Sequence, residues 1–290
     1  MVTGTKTISV VIPTAGRRPQ LLLECLKSIA AQDVPHETIV VSPPGRILSS
    51  EVMELAQIVE ERGPTSAALN AGIRRSHGEV VAITNDDCTA SRGWLRELTE
   101  PVLSSSAVLC GGQSLPSRPG RAYPATYAIP FEEPRLVQLD SSCPVWEIGL
   151  VGNNFSMRRS LLDQVGPFNE RLGPGTPMYS GEDLDLFHRV LAKRLPICIN
   201  PRAVVFHEPL ETWIAELRMM YSYRVGLAAY LYSHRHEPEA GNLLVRELLA
   251  GQLRRVWRNI RQGRGERFFA DTIALLGLAM GLTKGPFFLG

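Results

Sequence analysis

The chain has 290 residues, 44% of them hydrophobic and 21% charged, which is the composition of an ordinary globular protein with apolar side chains enough for one large core or two modest ones. Basic and acidic side chains nearly balance, 31 against 29, and the net charge of +2 is too small to argue for nucleic acid as a partner. The five cysteines, Cys25, Cys88, Cys110, Cys143 and Cys198, are scattered without the paired spacing of a zinc site and fit reduced thiols in a cytoplasmic protein.

The opening stretch, MVTGTKTISVVIPTAG, has no basic region followed by a long apolar run, so no secretory signal is expected. Residues 8–12 form a β-branched run closed by Pro13, and 19–31 carries Leu22, Cys25, Leu26 and Ile29 at helical spacing. A short strand is predicted at 38–41, stopped by SPPG, followed by helices at 50–61 and 65–76 and a strand at 80–84. Short apolar strands separated by helices indicate βαβ units and a parallel sheet, where ligands bind at the carboxyl ends of the strands. The stretch EVVAITNDDCTASRGWL places Asn85, Asp86 and Asp87 at such an end.

Residues 114–144 are rich in proline and are expected to form loops and short edge strands, which could border an acceptor pocket. Regular structure returns with GLVGNNFSMRRSLLDQVGPF, a strand leading into a helix at 159–165. The glycine- and proline-rich turn LGPGTPMYSG then opens onto the helical EDLDLFHRVLAKR.

Each chemically suggestive group has a plain structural explanation beside it. Asn and Asp favour turns because their side chains bond nearby amides, so the Asn85-Asp86-Asp87 triplet alone supports a turn and a cation site equally. Adjacent carboxylates repel, however, and carboxylates converging with diphosphate oxygens are what a hard divalent cation needs. Ser180 is spaced to cap the next helix with Asp183 at the third position, and acids in a first turn favour the helix dipole. A carboxylate at a helix start beside a mobile glycine loop is equally well placed to accept a proton from a substrate hydroxyl. His207, after the strand-like AVVF, is either a half-buried structural histidine or a group approaching the same cation.

The segments SVVIPTAGRRPQLLLECLKSIAAQ, ALNAGIRRSHGEVVAITNDD, GWL, GNNFSMRRSLLDQVGPFNERL, GEDLDLFHRVLAKR and AVVFHE resemble, in order and spacing, the family 2 glycosyltransferases, over about residues 7–210. The resemblance implies a GT-A fold: a Rossmann-like mixed α/β sheet flanked by helices, with a nucleotide-binding half (1–100) and an acceptor-binding half (101–210). It also implies a nucleotide-diphosphate sugar donor, a carbohydrate or glycolipid acceptor, and Mg²⁺ or Mn²⁺. Carried over by position, Asp87 matches the metal-binding acid, with Asp86 beside it toward the ribose or sugar and Asn85 completing the triplet. Pro13, Thr14 and Arg17 fall at the nucleotide pocket, and Asn70 joins the donor-binding set. Asp183 of GED matches the catalytic base, with Glu182 beside the acceptor or donor sugar. Gly152, Asn153 and Asn154 match the loop bordering the donor sugar, and His207 the histidine that completes the metal or diphosphate site in some members. The chain departs from the family pattern at Asn85, at the SPPG turn and at Leu69, where an acid, an Asp-Asp-Gly-Ser type turn and an arginine are common.

The implied reaction is a single in-line displacement with inversion, Asp183 taking the proton from an acceptor hydroxyl. A sugar nucleotidyltransferase would also use acidic metal ligands on an α/β sheet, but TAGRRP is a poor loop for a triphosphate. A non-catalytic sugar-nucleotide-binding scaffold is favoured by Asn85 and SPPG and disfavoured by the intact GED. No GxGxxG follows the first strand to suggest a dehydrogenase.

Residues 211–290 are expected as a helical C-terminal extension, with helices at 211–234 and 243–261. Between Arg246 and Arg267 there are seven arginines and two glutamates, and the apolar stretch 273–282 that follows is ten residues, short of the roughly 20 that span a bilayer. Two readings stand: an interfacial helix making peripheral contact with the cytoplasmic face of an anionic membrane, and an ordinary core helix.

Overall fold

The computed structural model describes residues 8–120, 127–137, 145, 148–237 and 250–289. Cys143, Arg246 and the start of the helix predicted at 243–261 lie outside the described residues.

Strand β1 (Ile8–Pro13) is buried from end to end. It lies between β2 (His36–Ser42) and β4 (Val80–Thr84), parallel to both, with Val10 opposite Thr38 and Ala82. These strands are continuous apolar runs because helices cover both faces of the sheet. Val10, Ile12, Val40, Val80 and Ala82 point to the face holding α1 (Pro19–Ala30) and α4 (Trp94–Leu103). Val11, Ile39, Val41, Val81 and Ile83 point to the opposite face, where α3 (Thr65–Arg75) and α6 (Glu182–Ala192) contribute to the core. A Cβ on Gly72 would stand 2.5 Å from Val11 Cγ1, so only glycine lets α3 lie this close to β1.

The segment predicted as one helix over 50–61 divides in two. Ser49 accepts a hydrogen bond from the Val52 amide at 3.3 Å and caps α2 (Ser50–Leu55). The chain then extends at Ala56 into β3 (Gln57–Glu60), parallel to β2. Adjacent Ile58 and Val59 suit a strand, and pairing with the open edge of β2 satisfies backbone groups that a helix would have to satisfy itself.

The second half of the chain completes the same sheet. Its strands are β5 (Cys88–Ala90), β6 (Leu109–Pro116), β7 (Arg135–Val137), β8 (Asn154–Arg158) and β9 (Ile197–His207), with the short α5 (Leu161–Val165) after β8. The order is β3-β2-β1-β4-β8-β6-β9-β5, with β7 also on β9. β8 enters antiparallel beside β4, so its first residue, Asn154, lies opposite Thr84, the last of β4. The loop before β8 therefore sits on the same sheet edge as the acids that follow β4.

Helices α7 (Trp213–Ser233), α8 (Ala250–Arg261) and α9 (Gly265–Phe288) form the C-terminal part. The expected boundary at 210/211 is no break in packing, since Leu227, Ala228, Tyr230 and Leu231 of α7 belong to the core beneath the sheet. α9 packs on α7 through Gly277, Gly281 and Gly285, and a Cβ on Gly281 would stand 2.4 Å from the Val225 carbonyl oxygen. α9 is long and apolar enough to cross a membrane by length and composition, and 33% of its most apolar window is buried. Its small-residue stripe packs as a core helix would, while Phe269, Leu276, Phe287 and Phe288 remain exposed.

Candidate active site

The carboxyl ends of β1 and β4 bring the first group of side chains together. Asn85 accepts the Cys88 amide at 3.2 Å, closing a turn, so the turn reading of the triplet holds for its backbone. Its carboxylates nonetheless converge. Thr14 donates its hydroxyl to Asp86 Oδ2 at 2.6 Å, and the Gly16 amide donates to Thr14 Oγ1 at 2.9 Å. Arg18 spans both acids, with Nη2 2.9 Å from Asp86 Oδ1 and Nη1 2.7 Å from Asp87 Oδ2. The remaining Asp87 oxygen, Oδ1, lies 3.3 Å from His207 Nε2. β5 supplies that last contact, pairing Cys88 with His207 across the ladder.

These partners set the charge state of the acids. Burial pushes the Asp87 carboxyl up, but His207 and then Arg18 outweigh it and hold the group down at about 2. Asp86 is raised instead, because burial exceeds the opposing pull of Thr14 and Arg18. Arg18 resists partial burial by virtue of the two acids and is raised.

The second group forms at the start of α6. Gly181, at φ 99°, is the residue before the helix, and no side chain caps it. The predicted Ser180 cap is thus not formed: Ser180 Oγ donates to the Ser222 carbonyl on α7 at 3.2 Å. Asp183 Oδ1 accepts the Leu184 amide at 2.8 Å. Both Glu182 and Asp183 are half-buried residues with their carboxyl groups turned inward. Burial raises Asp183, against opposing backbone amides that include Gly152, and burial together with the Asp183 charge raises Glu182 to about 8. Glu182 Oε2 is shielded from solvent and has no hydrogen-bond partner among the described residues.

The glycine-rich loop that delivers these acids is anchored rather than mobile. The Thr65 amide donates to Pro174 O at 2.8 Å, and Ser66 Oγ donates to Leu172 O at 2.8 Å. A Cβ on Gly175 would meet Pro64 Cα at 2.9 Å, and one on Gly181 would meet Gly226 O at 2.8 Å. Gly173, at φ 102°, leaves room for Glu182, whose Cδ would be 3.0 Å from an added Cβ.

The two groups share one sheet edge. A Cβ on Gly152 would stand 2.5 Å from Asp183 Oδ2, so Asp183 lies on the backbone of the loop before β8. That loop runs into Asn154, opposite Thr84, and Thr84 leads directly into the acid triplet.

Other predicted residues have different places. Asn70, expected in the donor-binding set, is buried and ties α3 to the loop after α5: its side-chain amide donates to Phe168 O at 3.0 Å and Glu170 Oε1 at 2.9 Å, and its Oδ1 accepts the Phe168 amide at 2.9 Å. Asn154 is likewise spent internally, accepting Trp94 Nε1 at 2.8 Å and donating to Gln113 O at 2.7 Å and Ala203 O at 2.9 Å. The tryptophan of GWL thereby finds its purpose, joining α4 to β8. Asn153 is buried and donates to Ser114 Oγ at 3.2 Å. Pro13 is buried at the end of β1, while Arg17 is exposed on the loop beyond. Arg18, which sequence reasoning passed over in favour of Arg17, is the cation on the acids. Its signal was Pro19, the first residue of α1, which fixes Arg18 as the residue that enters the helix.

Asp87 and His207 fit a divalent cation. Asp87, Cys88 and His207 present ligand atoms within 4.8 Å of one another. Carboxylate oxygen suits hard divalent ions such as Mg²⁺ or Mn²⁺, and imidazole adds a ligand favoured by first-row transition metals. The Cys88 thiol is raised well above its usual range by burial and by the Asp87 charge, and so is a poor ligand. His207 Nδ1 is buried and finds no hydrogen-bond partner among the described residues.

The family model described as glycosyltransferase like family 2 matches residues 5–221. The succinoglycan biosynthesis protein ExoM of Rhizobium meliloti is 27% identical over 226 residues, covering 70% of this chain and 69% of that protein. The glycosyltransferase AglE of Haloferax volcanii is 26% identical over 180 residues, 58% of each chain, so this chain matches less than two thirds of that relative. Among solved structures, a mannosyltransferase from Pyrobaculum calidifontis in complex with GDP-Man and Mn²⁺ is similar with a TM-score of 0.59 at 16% identity, over 96% of this chain and 86% of that one. Residues 1–349 of S. aureus TarS, in complex with UDP-GlcNAc, give a TM-score of 0.55 at 14% identity, over 96% and 91%. These structural likenesses establish a fold of GT-A type.

Proposed function

This chain belongs to glycosyltransferase like family 2 and is a transferase enzyme, and from that premise we propose that it moves a sugar from a nucleotide-diphosphate donor to an acceptor hydroxyl with inversion, using Asp183 as the base. The observation that carries the proposal is the contact of Asp183 with Gly152, on the sheet edge where Asp86 and Asp87 emerge.

In the proposed step the acceptor oxygen attacks the anomeric carbon as the bond from that carbon to the diphosphate oxygen breaks. Asp183 takes the hydroxyl proton, and the nucleoside diphosphate leaves with the bonding electrons. The Leu184 amide on Oδ1 and the Gly152 backbone hold the carboxylate in one orientation, and its raised affinity for protons suits a general base. Glu182, shielded and raised, stays protonated beside Asp183 and limits repulsion between them. Arg18 supplies a fixed positive charge near the departing diphosphate. Asp87 and His207 would hold Mg²⁺ or Mn²⁺, whose chemistry is to stabilise negative charge on the diphosphate.

The named relatives support a sugar-nucleotide donor and a role in polysaccharide assembly: one acts in succinoglycan biosynthesis, and solved neighbours bind GDP-Man with Mn²⁺ or UDP-GlcNAc. A glycolipid or polysaccharide acceptor at the cytoplasmic face of a membrane agrees with the C-terminal hairpin. There Trp257, Phe269, Leu276 and Phe287 are exposed, as are Arg254, Arg255, Arg258 and Arg261 on α8, a combination suited to the interface of an anionic bilayer.

Asp183→Asn tests the central assignment. It is expected to lower turnover by about a hundred- to ten-thousand-fold while leaving calorimetric donor binding intact. Asp87→Ala should instead lose the Mn²⁺-dependent part of donor binding. Wild-type turnover in Asp183→Asn would remove Asp183 from the reaction.

A further inference from the structure

Behind the candidate active site, α6 and α7 meet through a cluster that the transferase chemistry leaves unused. His188 of α6 places Nε2 2.8 Å from Glu237 Oε2. His234, just past the end of α7, places Nδ1 2.9 Å from the other oxygen of the same carboxylate. The two imidazoles lie with centroids 4.0 Å apart, and one ligand atom from each of His188, His234 and Glu237 falls within a 4.8 Å group.

We propose that His188, His234 and Glu237 form a second metal site, for a borderline transition metal of the zinc class, that clamps α6 to α7.

The ligand set and its support both carry this. Two imidazoles and one carboxylate suit zinc and not Mg²⁺, which prefers oxygen ligands and retained water. Zinc-bound atoms lie about 2.0–2.1 Å from the metal, hence roughly 3.3 Å apart in a tetrahedron. The two nitrogens contact different oxygens of one carboxylate at 2.8 and 2.9 Å, and the three ligand atoms lie within 4.8 Å of one another, so Glu237 need only turn one oxygen between the rings to admit an ion. The nitrogens facing away are already held: Tyr230 OH lies 2.8 Å from His188 Nδ1, and Asp185 Oδ1 lies 3.0 Å from His234 Nε2. Asp185 is fixed in turn by Arg189 at 2.7 Å. Metal-ligating histidines characteristically have such an outer partner on the second ring nitrogen. Access is also in place, because the His188 and His234 side chains are 3% and 11% exposed whereas Glu237 is 38% exposed. The ion would enter past Glu237, and a water would complete the fourth position.

The alternative occupant of this geometry is a metal-free hydrogen-bond network, and a cobalt titration separates the two. The full chain is titrated with Co²⁺ followed by its visible absorption, and with Zn²⁺ by calorimetry. Beyond any ion held at Asp87 and His207, one equivalent with the intense spectrum of four-coordinate cobalt is expected, and it should persist in Asp87→Asn, which removes the active-site carboxylate ligand. Glu237→Gln and His234→Ala, checked for unchanged circular dichroism, should abolish that spectrum, and Tyr230→Phe should weaken binding by about 10- to 100-fold. Glu237, at the surface, keeps the test valid if His234→Ala fails to fold. The proposal is overturned if the wild type takes up neither metal, if cobalt shows only the pale six-coordinate spectrum, or if Glu237→Gln leaves binding unchanged. None of these outcomes depends on transferase activity.

Discussion

Replacing Gly152 with alanine isolates the position of the proposed base from its chemistry. The added methyl would stand 2.5 Å from Asp183 Oδ2 and 3.0 Å from its Cβ and Cγ, whereas ordinary contact begins near 3.4 Å. Asp183 must therefore move by about 0.9 Å on its oxygen side, because the methyl is rigid and the clash is with the first atoms of a short side chain. The backbone amides around Asp183, including that of Leu184 on Oδ1, survive the substitution, so the electrostatics are preserved while the geometry is not. A misplacement of about 1 Å costs a reacting group on the order of 100-fold, which is about 2.7 kcal/mol of barrier. Overpacking at this site should also cost about 1–3 kcal/mol of stability. Initial-rate transfer with a saturating donor, calorimetric donor binding and thermal melting should show turnover down about 100-fold, donor affinity within about twofold, and a modestly lower melting point. In an Asp183→Asn background the same change should cost almost nothing more, since the group it displaces is already inactive. A folded Gly152→Ala protein with wild-type turnover would refute the placement of Asp183 in the reaction.

Three further outcomes follow from the same coordinates. Burial raises both Glu182 and Asp183, and for an acid held above its unfolded value the stabilising contribution is complete at low pH and lost as pH climbs from about 4 through the folded value. Glu182→Gln should therefore gain stability over wild type in urea unfolding at pH 8 and not at pH 4; equal stability differences at the two pH values would show that Glu182 is not held protonated. Phe155 is fully buried against Phe187 with ring centroids 5.1 Å apart, so Phe155→Ala should cost about 3–5 kcal/mol in denaturant unfolding, and a loss under about 1 kcal/mol would contradict that packing. The double variant Trp257→Glu with Phe287→Glu, at sites 61% and 84% exposed, should leave melting unchanged and lower co-sedimentation with anionic vesicles; unaltered partitioning would detach the hairpin from any membrane role.

The parallel half of the sheet was legible because its strands are short apolar runs punctuated by Pro13, SPPG and the acids after Thr84. The split of 50–61 into α2 and β3 was not, since residues at helical spacing there also satisfy a strand once β2 offers an open edge. Asp86 and Asp87 could be found from their place at a strand end. Their guanidinium could not: Arg17 and Arg18 are chemically identical neighbours, and only the entry angle of α1 selects the second. The internal hydrogen bonds of Asn70 and Asn154 were hidden for a related reason. An asparagine near a site can serve substrate or scaffold, and the choice rests on whether buried carbonyls nearby need its amide, which Phe168 O, Gln113 O and Ala203 O do.

The insertion of β8 antiparallel between β4 and β6 explains how distant segments make one site. Had β8 run parallel to β4, its preceding loop would lie at the amino end of the sheet, and Gly152 could not support a residue near the acids. Antiparallel entry turns that loop over to the carboxyl edge, where α1, the triplet and the end of β9 already stand. The start of α6 then needs only to be brought down onto Gly152, and two close approaches achieve this: Gly173 makes room for Glu182, and Gly181 abuts Gly226 of α7. The position of Asp183 is thus determined from both sides, by the sheet through Gly152 and by the C-terminal helices through Gly226. It follows that α7 belongs to the apparatus that places the proposed base, although the family match ends at residue 221, before Gly226.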